Sequence, residues 1–294
     1  MPAFDIHAYL KDRKLLIDRA LDRCLKECKP YPQTLDKAMR YGLFPGGKRL
    51  RPILTLASGD LFGAKQKLLL AFASALELIH TYSLIHDDLP ALDNDDLRRG
   101  ELASHKLFGE GIALLVGDAL LTEAFHLLTR PQVVRSLEPE LILELIHEIS
   151  HAAGVCGMVG GQVVDLETEG REVDVATVEY IHARKTGALI LTAARVGARI
   201  GRAAPKDLRR ISRYAEFLGL AFQIADDIAD AEDQIQAAKD SERKKATYPS
   251  IVGLAAARTR ARELLDHCLK ELEPFGKRAD PLRGIARYVG EQVQ

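Results

Sequence analysis

Residues 68–85 read LLLAFASALELIHTYSLI, and the overlapping stretch 80–100 reads HTYSLIHDDLPALDNDDLRRG. The first is apolar at most positions and holds no glycine or proline, the pattern of a helix buried on most of its faces. Five aspartates then fall close together, Asp87, Asp88, Asp93, Asp95 and Asp96, with His80 and His86 before them and Arg98 and Arg99 after. The helix therefore ends by carrying acids out of a buried environment. Two carboxylates about 5 Å apart repel by roughly 3 kcal/mol at an effective dielectric of about 20, so a positive partner belongs among them. Alone, such a cluster is more often the polar cap of a helix than a site.

Outward from this stretch, helical periodicity dominates. Apolar residues at Leu10, Leu15, Ile17, Leu21 and Leu25 are spaced by charges over 4–28, and a short helix follows to about 41. LFPGGKRLRP (43–52) is a punctuated loop, with Pro52 placed to open the next helix. Further helices are predicted over 53–61, 66–87, 111–128, 139–153, 155–169, 175–185, 187–200, 205–232, 248–273 and 281–289. No run of alternating β-branched residues has useful length, so strands are not expected. The fold class is all-α. Short connections between so many helices predict one large bundle, a single domain over 1–294.

The composition sets bounds. A hydrophobic fraction of 47% is ample for a core, and a formal net charge of -1 argues against nucleic acid or an anionic membrane as the main partner. Any anion site must be local. Four cysteines, Cys24, Cys28, Cys156 and Cys268, do not make a disulfide framework in 294 residues. Cys24 and Cys28, four apart, lack two further Cys or His ligands nearby in sequence, so reduced thiols are the better reading. The start, MPAFDIHAYLKDRKLLIDRA, has no apolar signal core, and Asp118 and Glu123 interrupt the longest apolar run. No membrane span is expected, and the expected location is the cytoplasm.

A second acid cluster lies in GLAFQIADDIAD (219–230). Gln223, Asp226 and Asp230 share a helix face, and Asp227 is adjacent. Hard oxygen donors in such numbers suit Mg²⁺, which takes one or two carboxylates and completes its shell from phosphates and water. Two such helix ends facing each other would hold several ions around a polyphosphate. Basic points fit the same ligand. Gly46-Gly47-Lys48-Arg49-Leu50-Arg51 is a glycine loop with three cations beside a helix start, though not a Walker loop. Lys185-Thr186 and Lys244-Lys245 add others, and each basic pair taken singly is more often a solvated surface.

Together these residues resemble the trans-isoprenyl diphosphate synthases, most of all the bacterial farnesyl diphosphate synthases. GGKRLRP (46–52), HDDLPALDNDDLRRG (86–100), KTG (185–187), FQIADDIAD (222–230) and KATYP (245–249) occur in the family's order, with HKLFGE (105–110) and GDALLTEAF (117–125) similar to its intervening segments. The resemblance implies an all-α bundle around a deep cavity, usually a homodimer. It implies that Asp87, Asp88 and Asp93, with Asp226, Asp227 and Asp230, bind three Mg²⁺ ions that hold an allylic diphosphate, dimethylallyl or geranyl. Lys48, Arg51, His80 and Arg99 would bind isopentenyl diphosphate. Arg98, Lys185, Thr186, Gln223 and Lys245 would serve the allylic side, with Asp87, Asp88, Asp226, Lys185 and Arg98 closest to the chemistry. No dedicated His–Asp base is evident in the sequence, and the family is thought to use the released diphosphate.

Tyr82, five residues before Asp87 and beside Ser83, stands where the family's bacterial fifteen-carbon enzymes carry an aromatic cavity floor. The four-residue spacer 89–92 fits that pattern too. The implied product is farnesyl diphosphate; geranylgeranyl enzymes share the spacer but usually carry a smaller residue at the tyrosine. Terpene cyclases and inactive regulatory subunits share the fold, but GGKRLRP, His80 and two intact acid motifs argue against both. Phe222 is placed for cation–π attraction, or for plain core packing. One departure stands out: the segment after Asp230 is about five residues shorter than the family's, and its first lysine has only Lys239 as a stand-in.

Overall fold

The computed structural model describes residues 4–237 and 246–293. Lys239, Lys244 and Lys245 lie outside them. The described chain is helical with one exception. Its elements are α1 (Ile6–Cys28), α2 (Gln33–Leu43), α3 (Leu50–Leu61), α4 (Gln66–Asp87), β1 (Leu97–Arg98), β2 (Glu101–Leu102), α5 (Ser104–Phe108), α6 (Glu110–Leu128), α7 (Pro131–Val134) and α8 (Pro139–Ala153). They continue with α9 (Met158–Thr168), α10 (Val175–Ile181), a π-helical turn (His182–Gly187), α11 (Ala188–Ile200), α12 (Pro205–Ala237), α13 (Tyr248–Val252), α14 (Leu254–Glu271), a 3₁₀ segment (Glu273–Ala279) and α15 (Asp280–Glu291). The all-α expectation holds.

Three local expectations need correcting. Strands do occur: Leu97 pairs with Leu102 and Arg98 with Glu101 in a two-stranded ribbon. Arg99 (φ 57°) and Gly100 (φ 83°) form its turn, and two residues at positive φ are what a tight hairpin demands. The helix predicted over 248–273 is broken at Gly253, whose φ of 84° no helix continues. Pro52 is the third residue of α3 rather than its first, still within the turn where a missing N–H costs nothing.

The contacts group into two compact units. One comprises Leu10–Leu56 and Lys65–His147. At its centre α4 is buried along most of its length, from Leu69 and Phe72 to Tyr82 and Ile85, as its apolar sequence requires. It packs most heavily on α6, and the approach depends on Gly117: a Cβ there would lie 2.0 Å from the His86 ring. His86 Nε2 lies 2.9 Å from the Leu114 carbonyl, tying the end of α4 to α6. Glu123 on α6 meets the Cys24 and Cys28 thiols of α1 and accepts from Arg130 at 2.6 Å. Burial raises the pKa of Cys24 to about 12 and that of Cys28 to about 11, so both remain thiols.

The other unit comprises Met1–Tyr9, Ala57–Ala64 and Glu148–Gln294. Here α12 is central, packed on α14 and α11. Tyr214 of α12 is fully buried, and its hydroxyl donates to the Leu282 carbonyl at 2.8 Å. By length and hydropathy alone, Gln66–Asp87, Glu110–Val134 and Pro139–Thr168 match membrane spans, the second despite Asp118 and Glu123. In the first, 67% of the apolar window is buried inside the protein.

Candidate functional site

The expected residues fall into two groups, one in each unit. The first is built at the C-terminus of α4. Asp87 is its last residue, and Asp88 caps it with a main-chain bond to the Leu84 carbonyl. The spacer 89–92 curls into a turn, with Leu92 N–H donating to the Leu89 carbonyl at 2.9 Å, and Asp93 N–H then donates to the Asp87 carbonyl at 2.7 Å. The first and last acids of the motif are thereby neighbours.

Asp88 is buried, and burial raises its pKa against the pull of Arg98. Arg98 Nε donates to Asp88 Oδ1 at 2.8 Å, with a second contact from Nη2. Burial opposes the charge on Arg98, but the bond to Asp88 raises its pKa. This is the positive partner that the acid cluster required, delivered by the hairpin.

Arg99, at the hairpin turn, lies against the glycine loop. Its Nη1 donates to the Pro45 carbonyl at 3.1 Å, and a Cβ on Gly47 would lie 2.8 Å from the same nitrogen. Gly46, Gly47 and Arg49 all have positive φ, so the loop takes a tight path that only the glycines adopt without strain. Its three cations then part company. Arg49 turns inward, with a side chain only 1% exposed, and pairs with Glu77 Oε1 at 2.6 Å and Asp18 Oδ1 at 2.9 Å. It anchors the loop and is not available to an anion. Lys48 is exposed, and Arg51 is buried at the start of α3.

His80 lies one turn along α4 from Glu77. Burial first, then the charges of Arg51, Arg99, Arg49 and Arg98, hold its pKa well below the ordinary imidazole value. Several cations around a neutral imidazole make a pocket of positive potential, suited to an anion. Arg51, His80 and Arg99 are thus brought into one field.

The second group is built on α9, the π-helical turn and α12. The Lys185 Nζ donates to Asp165 Oδ2 of α9 at 2.7 Å. Gly161 permits this: a Cβ there would lie 2.4 Å from the Lys185 main-chain nitrogen. Thr186 Oγ1 donates to Gln223 Oε1 at 2.7 Å, and Gln223 Nε2 donates to Asp227 Oδ1 at 3.2 Å. Asp227 is buried, and its Oδ2 accepts from Tyr248 N–H at 2.8 Å. Asp226 is half-buried and Asp230 exposed, one turn apart on α12.

Tyr82, 7% exposed, meets the His86 ring edge-on at 5.6 Å, and Ser83 donates to the His80 carbonyl at 2.8 Å. Three supports went unread in the sequence: Glu77 for the loop, Asp165 for Lys185, and His182, whose Nε2 lies 3.2 Å from Asp227 Oδ2. Only helical spacing, three residues before His80 and three before Lys185, pointed toward Glu77 and His182.

For a metal, the donors on offer are carboxylate oxygens, the hard ligands that Mg²⁺ takes. Among the described residues, no three His, Cys, Asp or Glu side chains form a ready-made cage. That fits an ion completing its shell from a phosphate ligand and water. Asp87, Asp88 and Asp93 in one group, and Asp226, Asp227 and Asp230 in the other, are the acids that could supply such oxygens, with Asp88 held by Arg98 and Asp227 by Gln223 and Tyr248 N–H.

Comparison with known proteins identifies the family. The family model for polyprenyl synthetase covers residues 32–280. The farnesyl diphosphate synthase of Geobacillus stearothermophilus is 44% identical, over 88% of this chain and 88% of its own. The geranylgeranyl diphosphate synthase of Cyanophora paradoxa is 40% identical over 97% of this chain and 96% of its own. Among solved structures, a geranyltransferase from Legionella pneumophila aligns with a TM-score of 0.89 at 31% identity, covering 97% of each chain. With one acid group at the end of α4 and another along α12, its arginine-ringed histidine and this match along most of its length, the chain belongs to the polyprenyl synthetase family of prenyltransferases.

Proposed function

We propose that this protein is a farnesyl diphosphate synthase, condensing isopentenyl diphosphate with dimethylallyl and then geranyl diphosphate to give (2E,6E)-farnesyl diphosphate. The observation that carries the product assignment is Tyr82, buried on α4 five residues before Asp87 and braced by His86. There it closes off space behind the acids and limits the growing chain.

The residues divide the work. Lys48, Arg51, His80 and Arg99 hold isopentenyl diphosphate through charge and a neutral imidazole. Arg98, Lys185, Thr186 and Gln223 orient the allylic substrate, with Lys185 exchanging Asp165 for a phosphate oxygen. Asp87, Asp88 and Asp93, with Asp226, Asp227 and Asp230, hold Mg²⁺, three ions by family analogy, and Arg98 on Asp88 and Gln223 with Tyr248 N–H on Asp227 orient two of these carboxylates. The bound ions supply Lewis-acid stabilisation for the departing diphosphate. Ionisation, attack by the isopentenyl double bond and proton loss then proceed where apolar walls exclude water. A homodimer and a cytoplasmic location belong to the same reading.

A longer product, geranylgeranyl diphosphate, is the second reading, favoured by the identity to the Cyanophora enzyme. Chromatography of the products of wild type and Tyr82→Ala separates the two. A floor at Tyr82 predicts longer chains from the variant, and an unchanged product sinks that role. Incorporation of labelled isopentenyl diphosphate excludes a cyclase or an inactive subunit.

A further inference from the structure

We propose that His182 is a positioning residue of the allylic group, fixing the direction of a hydrogen-bond chain that ends on the Thr186 hydroxyl. The proposal rests on the prenyl-transfer reading and extends it to a residue outside the aspartate and lysine motifs.

His182 opens the π-helical turn that carries Lys185 and Thr186. Such turns recur at functional sites because the widened helix re-aims its side chains. The imidazole is buried and lies parallel to the Tyr248 ring, 6.4 Å away at 28°. Its Nε2 is 3.2 Å from Asp227 Oδ2. A carboxylate only accepts, so the contact is favourable only with the proton on Nε2.

The same logic then runs along the chain. Asp227 Oδ1 takes the amide N–H of Gln223, which turns the Gln223 oxygen toward Thr186. Thr186 spends its hydroxyl hydrogen on that oxygen. What Thr186 has left for a substrate is lone pairs. An acceptor there attracts an electron-poor carbon and repels a diphosphate oxygen, so the chain's direction tells the two ends of an allylic substrate apart.

The buried Asp227 carboxylate needs several donors to keep one orientation. Two hydrogen bonds are present, from Tyr248 N–H and Gln223 Nε2, and His182 Nε2, 3.2 Å from Oδ2, stands as a third partner. Without the third, the carboxylate is free to turn and the Gln223 amide loses its reason to point one way. His182 is not placed as a base, since Nε2 faces Asp227 Oδ2 at 3.2 Å and Nδ1 is sealed from solvent with no hydrogen-bond partner.

The test compares His182→Gln with His182→Asn in the full-length protein, using isopentenyl and geranyl diphosphates with Mg²⁺. Glutamine carries an N–H near the position of Nε2, whereas asparagine is one carbon too short. His182→Gln should keep kcat within about threefold of wild type, and His182→Asn should lose about ten- to a hundredfold. The half-saturating Mg²⁺ concentration should stay within about twofold in both, because no metal ligand has been removed. In a Thr186→Val background the cost of His182→Asn should vanish, because residues acting through one another are non-additive. Equal losses in the two His182 variants, or an undiminished cost in the Thr186→Val background, would overturn the proposal. Absence of turnover in wild type overturns the prenyl-transfer reading itself, and the proposal with it.

Discussion

The main-chain N–H of Asp93 donates to the carbonyl of Asp87 at 2.7 Å. The length of the spacer, more than its sequence, therefore makes neighbours of the two acids. Deleting Ala91 should cut turnover about as much as Asp93→Ala, by roughly 10²–10³, the scale of losing a charge-stabilising group. Ala91→Ser, at an exposed position, should change the rate by less than about twofold. Steady-state assays decide, and a deletion variant with near-normal turnover contradicts this geometry.

Gly47 has a φ of 89° and the Arg99 guanidinium against its α-carbon. Gly47→Ala therefore adds backbone strain and pushes Arg99 away. We expect the KM for isopentenyl diphosphate to rise about tenfold or more, the worth of a charge-assisted hydrogen bond, with the KM for the allylic substrate little changed. Gly63→Ala is the control, with a φ of 75° but nothing within 4 Å. It should lower stability by about 1 kcal/mol and leave both KM values alone.

Arg49 and Glu77 form a pair with side chains 1% and 2% exposed. Glu77→Gln leaves a buried guanidinium short of its counter-charge, which typically costs about 3–5 kcal/mol. Urea unfolding should show that loss. Lys48→Ala, at the exposed neighbour, should leave the midpoint unchanged and weaken isopentenyl diphosphate binding.

His80 gives a pH dependence with a definite sign. Its pKa in the folded protein lies well below the ordinary value of 6.5, so in the acid range the folded state binds fewer protons than the unfolded chain. Stability then falls as the pH drops below about 6.5, and continues to fall until the folded pKa is reached. Thermal melts between about pH 7 and 5 should show this slope, and His80→Gln should flatten it. A slope unchanged in the variant assigns the effect to other groups.

The long elements were legible because their periodicity outlasts local accidents. The ends of α4 at Asp87 and of α8 at Pro139 and Ala153 fall where the apolar pattern and its flanking signals place them. The ribbon escaped because two-residue strands have no period to read, although Arg99-Gly100 carried the turn. The π-helical turn escaped because one extra residue per turn leaves composition unchanged. In the site, residue types revealed the donors, but not which cations face inward. Arg49 just before α3 and Arg51 within it are both buried, and the partners that hold Arg49, Asp18 and Glu77, are remote in sequence.

If Tyr82 floors the space behind the acids, wild type given isopentenyl and dimethylallyl diphosphates with Mg²⁺ should stop at fifteen carbons. Chromatography of the product should then show farnesyl diphosphate as the main species. A predominantly twenty-carbon product, or no incorporation of isopentenyl diphosphate, would overturn the proposed function.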